Sequence, residues 1–249
     1  MADTGPKQVR ISAARPVSVA PFIAARVTAR GGTHNMLERL THALATRRRF
    51  TQTRPRQAAI LLPLIGSNEN LSLLLTRRAS GMSSHANQVA YPGGVCDAVD
   101  GGLPVKTALR EANEEVGLAP SDASILGMLD DLPSFKNDMA VTPVVARLEP
   151  HLTIRDFCAS EAEVARIFSI PLGELVVEER WCTTHSEWRD QPITQYSFEH
   201  DGERLWGLSA YATLMLLALA APGSAPAIPW FKLDGRARST TESDHEPFG

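Results

Sequence analysis

The sequence predicts an α/β fold in which helices cover both faces of a mixed β-sheet. Two observations carry that expectation. Residues 57–65 form a short, almost unbroken apolar run around Ala58-Ala59-Ile60-Leu61-Leu62, the pattern of a strand buried on both faces. Pro104 and Gly117 bracket a segment with the start and stop signals of a helix, because proline suits a first turn and glycine closes a last one.

Composition sets the outer limits. The 249 residues are 43% hydrophobic and 21% charged, enough for one core with tails and too apolar for a chain disordered throughout. With 25 Lys+Arg against 28 Asp+Glu and a net charge of -3, no overall positive field exists to hold nucleic acid. Cys96, Cys158 and Cys182 are odd in number, far apart and outside any Cys-x-x-Cys pattern. That speaks against a disulfide framework or zinc knuckle and for a reducing, cytoplasmic setting. The apolar stretch from Leu205 to Ala221 falls short of the ~20 residues a bilayer crossing needs, so it reads as a core helix and no membrane partner is expected.

Along the chain, residues 1–33 carry Lys7, Arg10, Arg15, Arg26 and Arg30 against Asp3 alone and read as a flexible basic tail. A mitochondrial transit peptide is the alternative that such an arginine-rich start leaves open. Residues 34–54 follow as an accessory helix and linker, since Met36, Leu37, Leu40, Leu44 and Ala45 recur at helical intervals between Asn35 and Arg49. The main domain, 55–234, opens with the strand at 57–65. It turns through Gly66-Ser67-Asn68-Glu69-Asn70 into a second apolar run, Leu71 to Thr76, as a hairpin. A short strand from Gln88 to Tyr91 precedes the breaker Pro92-Gly93-Gly94 and a glycine-rich loop, and the helix over 104–116 comes next. Strands are expected at 125–129, 140–148 and 164–170, the last passing at Pro171 into a short helix through Val176. Residues 193–198 and 204–206 flank Asp201-Gly202, a hairpin turn signal. A last helix runs from Ser209, read as its N-cap, to Ala220, and residues 235–249 form a charged, frayed tail.

The chemistry concentrates in Arg110-Glu111-Ala112-Asn113-Glu114-Glu115-Val116-Gly117-Leu118. Side chains three and four positions apart are neighbours on a helix, so Glu111, Glu114 and Glu115 share one side. Their charges repel, and a hard divalent cation, Mg²⁺ or Mn²⁺, relieves that repulsion. Such an ion aligns a diphosphate and lowers the pKa of a water that attacks phosphorus. Taken alone, the helix reads more readily as a solvated acidic face, because charge runs are common on surface helices.

Upstream, Gly94 is followed by five residues and then Asp100, and nine more residues separate Asp100 from Arg110. The arrangement resembles the Nudix box, with the helical half matched throughout, Asp100 in place of a glutamate and a lengthened spacer. Other segments are similar to the coenzyme A pyrophosphatase group of that superfamily: Arg56 to Pro63, Leu74 to Arg78, His85 to Gly94, Leu129 to Pro133, Val141 to Val145, Glu163 to Ala165 and Arg204 to Ala210.

The resemblance implies a Nudix-type α/β/α sandwich with a mixed β-sheet. It implies Glu111, Glu114 and Glu115 as catalytic ligands of Mg²⁺ or Mn²⁺, with Glu111 also the general base and Glu163 an additional carboxylate. Arg77, His85, Gln88, Gly93 and Gly94 are the implied substrate contacts, and an Asp100–Arg110 ion pair is the implied structural brace. The reaction implied is metal-dependent hydrolysis of the diphosphate of coenzyme A or an acyl-coenzyme A, giving 3′,5′-ADP and a (acyl-)4′-phosphopantetheine. ADP-ribose or another nucleotide conjugate is the alternative substrate, and a catalytically weak nucleotide-binding regulator is the alternative of a different class. A small-molecule nucleotide is thus the partner, and a homodimer is left open.

The chain departs from the group on the substrate side. Ser83 stands where a basic residue is usual, Asn87 stands for a glycine, and Asn137-Asp138-Met139 stands for Ser-Gly-Tyr. Each residue singled out also has a plainer reading. His85 and Gln88 can be ordinary loop and strand-edge groups, Arg77 or Arg78 a solvated strand end, and Glu163 a surface acid. Trp206 reads as core packing and Cys96 as an inert thiol.

Overall fold

A computed structural model describes residues 32–82, 85–134, 138–188 and 191–229. Its axis is β1 (Arg56–Ile65), where Leu61, Leu62 and Leu64 are fully buried. A strand with apolar side chains on both faces needs cover on both, and this one has it. β1 runs parallel to β7 (Met139–Leu148), in register from Arg56↔Met139 to Leu64↔Arg147. The expected hairpin forms on its other side, where β2 (Ser72–Arg78) pairs antiparallel through Leu64↔Leu73. β3 (Val89–Ala90) and β8 (Val164–Pro171) join β2, β4 (Gly93–Val95) joins β1, and β5 (Ala123–Met128) and β6 (Leu132–Ser134) join β7. A second sheet contains β9 (Trp181–Trp188), β10 (Gln191–His200) and β11 (Glu203–Trp206).

Because strand side chains alternate, Leu61 and Leu62 enter different cores. Leu61 meets Ala108, Ala112 and Val116 of α2 (Pro104–Val116) together with Leu74 and Val144. Leu62 belongs to the larger cluster, with Leu73, Leu75, the apolar residues of α4 (Gly207–Ala220) and Leu40 of α1 (Gly32–Thr46). The short α3 (Leu172–Leu175) anchors in that cluster through both its end residues. Each fully buried leucine contributes about 1.5–3 kcal/mol over an exposed one, so the two clusters clamp the sheet from either side.

Several elements depart from expectation. α1 begins and ends three residues earlier than expected, and Leu40, 1% exposed, packs it into the main core with α4. It is held there by paired charges, Arg47 with Asp130 at 2.9 Å and Arg49 with Asp131 at 3.1 Å. β6 and β9 lie outside the expected strands. α4 is not capped by Ser209: Trp206 is the N-cap residue, and Gly207 at φ 60° turns β11 directly into the helix. Ser209 lies inside, its carbonyl accepting from the Thr213 hydroxyl at 2.8 Å. Trp206 is 39% exposed and is not core packing. No described helix is long and apolar enough to cross a membrane. Residues 1–31 and 230–249, with Ser83 and Asn137, lie outside the described residues.

Candidate active site

The loop before α2 is held by one buried carboxylate. Asp100, 2% exposed, ends a single 3-10 turn, Ala98–Asp100, and accepts from the backbone N–H of Asp97 at 2.9 Å and the Thr107 hydroxyl at 2.9 Å. Arg110 then donates to both its oxygens, Nε to Oδ1 at 3.0 Å and Nη2 to Oδ2 at 3.1 Å. These two parallel, charge-assisted bonds hold the Asp100 carboxyl far below the usual carboxylate range, burial opposing them. The shorter aspartate reaches Arg110 because the 3-10 turn carries it to the first turns of α2.

Arg110 also faces the acidic side of the helix. Its Nη1 lies 2.9 Å from Glu111 Oε1 and 3.0 Å from Glu114 Oε2. The three glutamates differ in exposure: Glu114 side chain 54%, Glu111 16%, Glu115 4%. Burial pushes the Glu115 carboxyl up to about 7, with the charges of Glu111 and Glu163 adding to the effect and Arg78, 3.6 Å away, opposing it. Glu111 is raised too, chiefly by burial, with Arg110 opposing and Glu114 and Glu163 adding. The group is therefore a set of partly desolvated carboxylates that repel one another.

Backbone contacts bring the other pieces to this face. Ser160 N–H donates to the Glu115 carbonyl at 2.9 Å and Ala79 N–H to the Glu163 carbonyl at 2.8 Å, which seats Glu163 between α2 and the end of β2. Gly93 and Gly94 lie in β4 beside β1. A Cβ on Gly94 would fall 2.3 Å from Glu111 Oε1, and one on Gly93 would fall 2.4 Å from the Ala59 carbonyl oxygen. The glycines thus leave Glu111 room against the sheet.

The arginines at the end of β2 divide. Arg78 faces Glu115, whereas Arg77 turns to the other side of the sheet and meets Glu203 of β11 at 3.2 Å. Alternation along β2 requires the split, and the sequence does not say which arginine faces α2. His85 Nδ1 sits 3.0 Å from Gln88 Oε1 in a loop whose Asn87 N–H returns to the Arg78 carbonyl at 3.2 Å. The departures nearby are mild in backbone terms. Asn87 (φ 59°) and Asp138 (φ 45°) occupy left-handed conformations that glycine favours and that Asn and Asp tolerate.

Residues 54–201, more than half the chain, match the family model of the NUDIX domain. The chain belongs to the Nudix family. Two bacterial relatives, each described as an uncharacterized Nudix hydrolase NudL, bear this out. That of Photorhabdus laumondii is 40% identical over 62% of this chain and 80% of its own. That of Pectobacterium atrosepticum is 39% identical over 66% and 82%. A Nudix hydrolase of M. smegmatis, RenU, superposes with a TM-score of 0.39 at 21% identity over 46% of this chain and 70% of that one, too loosely to carry an argument. This chain is a Nudix hydrolase, an α/β protein of a family that acts on small nucleotide substrates.

Nudix hydrolases generally use divalent metal ions, and the donor set here fits one. The donors are hard carboxylate oxygens, and their mutual repulsion is what a cation removes. Among the described residues no three histidine, cysteine, aspartate or glutamate side chains converge in a ligating arrangement, and Arg110 and Arg78 face the glutamates instead.

Proposed function

We propose that this Nudix hydrolase cleaves the diphosphate of coenzyme A or an acyl-coenzyme A by metal-dependent attack of water on phosphorus. The observation that carries the metal-dependent part is the repelling, half-desolvated set Glu111, Glu114 and Glu115 beside the Gly93-Gly94 strand. The coenzyme A part rests on the resemblance of the ordered segments from Arg56 to Ala210 to the coenzyme A pyrophosphatase group. A bound Mg²⁺ or Mn²⁺ supplies charge neutralisation of the diphosphate and a lowered pKa for the attacking water. Glu111, Glu114 and Glu115 hold that ion, with Glu163 as a further ligand. Glu111, its pKa raised by burial, takes the proton of the water as general base.

The other residues position these groups. Arg110 is tied to Asp100 and holds the Glu111 and Glu114 carboxylates in place. Gly93 lets β4 lie close against β1 and Gly94 leaves room for the Glu111 carboxylate, and His85 and Gln88 stand beside them as substrate contacts. Arg78, which faces Glu115, offers the phosphates a guanidinium. The products are 3′,5′-ADP and a 4′-phosphopantetheine, acylated or not. The bacterial relatives support a cytoplasmic setting and lend nothing to the mitochondrial alternative.

The test is a hydrolysis screen with Mg²⁺ and Mn²⁺ across coenzyme A, acyl-coenzyme A, ADP-ribose, dinucleoside polyphosphates and nucleoside triphosphates. Coenzyme A or an acyl derivative is expected to give the highest kcat/KM. A tenfold or greater preference for ADP-ribose removes the coenzyme A assignment and keeps the hydrolase, and no turnover of any substrate favours a nucleotide-binding regulator.

A further inference from the structure

β2 and β8 place two arginines directly opposite one another, Arg77↔Arg166, one pair before the end of their antiparallel ladder at Arg78↔Val164. Like charges directly opposed on a sheet repel. Here a single carboxylate offsets them: Glu203 Oε1 lies 3.2 Å from Arg77 and 2.9 Å from Arg166. The carboxylate is buried while both arginine side chains are 40% exposed, so this trio carries one net positive charge with its guanidinium groups toward solvent. The arginines are also fixed in place. Arg166 lies over the Phe168 ring, 5.3 Å from its centroid, and reaches the Asp201 carbonyl at 3.5 Å. Arg77 Nε is buried with no hydrogen-bond partner among the described residues, and a buried donor left unmade is costly.

We propose that Arg77 and Arg166, bridged by Glu203, form a clasp for a phosphomonoester carried by the same nucleotide whose diphosphate meets the carboxylates. The inference rests on the coenzyme A reading, since that molecule carries a 3′-phosphate besides its diphosphate. Two fixed guanidinium forks are suited to the oxygens of a phosphate dianion. The position fits as well. Arg78, the next residue, faces Glu115 at 3.6 Å on the other side of the sheet. The regular ladder ends at Arg78↔Val164, with one further backbone bond from Ala79 N–H to the Glu163 carbonyl, so the carboxylates and the clasp lie on opposite faces of the same strand end, around which the nucleotide would reach. A plain staple, with Glu203 merely fastening β11 to β2 and β8, is the competing role.

The two are separated by Arg166→Gln, assayed on coenzyme A and dephospho-coenzyme A. The wild-type enzyme is expected to prefer coenzyme A in kcat/KM by roughly tenfold to a hundredfold, the range of one or two charge-assisted bonds. In Arg166→Gln that preference collapses toward one through a raised KM for coenzyme A, while dephospho-coenzyme A stays within about twofold. Arg166→Lys, which keeps the charge and loses the fork, falls between. Equal losses on both substrates, an unchanged ratio, or a wild type without the preference overturns the clasp. If the wild type hydrolyses neither compound, the coenzyme A reading fails by itself, and the clasp is then read by thermal shift with 3′,5′-ADP against AMP. Extra protection by 3′,5′-ADP that disappears in Arg166→Gln supports it, and equal protection overturns it.

Discussion

Asp100 and Glu115 are buried carboxylates attached to the two ends of α2, each with an arginine nearby, and they are opposites. Asp100 is met by two nitrogens of Arg110, a hydroxyl and a backbone N–H, and its pKa lies far below the usual range. Glu115 has Arg78 at 3.6 Å, faces the charges of Glu111 and Glu163, and rises to about 7. Exposure is similar and burial pushes both carboxyls up; at Asp100 the matched partners overcome it, whereas at Glu115 they do not and burial prevails. Where every lone pair is answered, a charge becomes structure. Where carboxylates are left to repel, the fold retains a site that a cation or a proton must complete.

The largest effect that sharpens this contrast is on turnover. Glu111→Gln keeps the shape of the side chain and removes the proposed base, so kcat is expected to fall about 10²–10⁴-fold with an unchanged circular-dichroism spectrum. Excess EDTA is expected to stop the wild-type reaction, and Mg²⁺ or Mn²⁺ to restore it. Wild-type kcat in either experiment would move the chemistry away from these carboxylates.

The two adjacent glycines split the contrast more finely. In Gly94→Ala the new Cβ meets only the far end of the Glu111 side chain, 2.3 Å away. The carboxylate moves, and kcat is expected to drop about 10–100-fold with little change in Tm. In Gly93→Ala the Cβ meets the backbone of Ala59 at 2.4 Å, which cannot yield so cheaply, and Tm is expected to fall. Melting curves and kcat measured on both variants check the pair, and an identical response in the two would erase the distinction.

Asp100→Ala belongs on the structural side. A partly exposed ion pair would be worth only about 1 kcal/mol, but Asp100 is buried and bonded four ways. Leaving Arg110 without it is expected to cost about 3 kcal/mol, a Tm loss of roughly 6–12 °C for a domain of this size. Loss of kcat with an unshifted Tm would place Asp100 among the catalytic groups instead.

The smallest effect is its pH dependence. A carboxylate whose folded pKa is depressed contributes stability above its unfolded pKa, near the ordinary aspartate value of 3.8, and loses it as pH falls toward the folded value. The Tm gap between wild type and Asp100→Asn should therefore be constant from neutral pH down to about 4 and narrow below that. A gap that instead changes between pH 5 and 8 would assign the brace to another group.

Much of this protein was legible in one dimension. The doubly buried β1, the hairpin to β2, the span of α2 and its Gly117 close, and the acidic face of that helix all follow from local patterns whose period matches the backbone. β9 was not legible, because Trp-Cys-Thr-Thr-His-Ser-Glu-Trp alternates too weakly to show a buried side. Ser209 misled for a related reason: it is a good cap by type, but Gly207 already makes the turn.

By itself, then, the sequence determined which residues could form the chemistry, since spacing on one helix places Glu111, Glu114 and Glu115 together. Only the tertiary structure decided what surrounds them: Arg78 rather than Arg77 faces Glu115, Glu163 arrives from the turn just before β8, and Glu203 bridges Arg77 and Arg166 on the far side. The physical reason is range. A helix or strand sets the relation of residues a few positions apart, whereas the partner of a charge 126 positions away is set by the register and packing of strands that no local rule specifies.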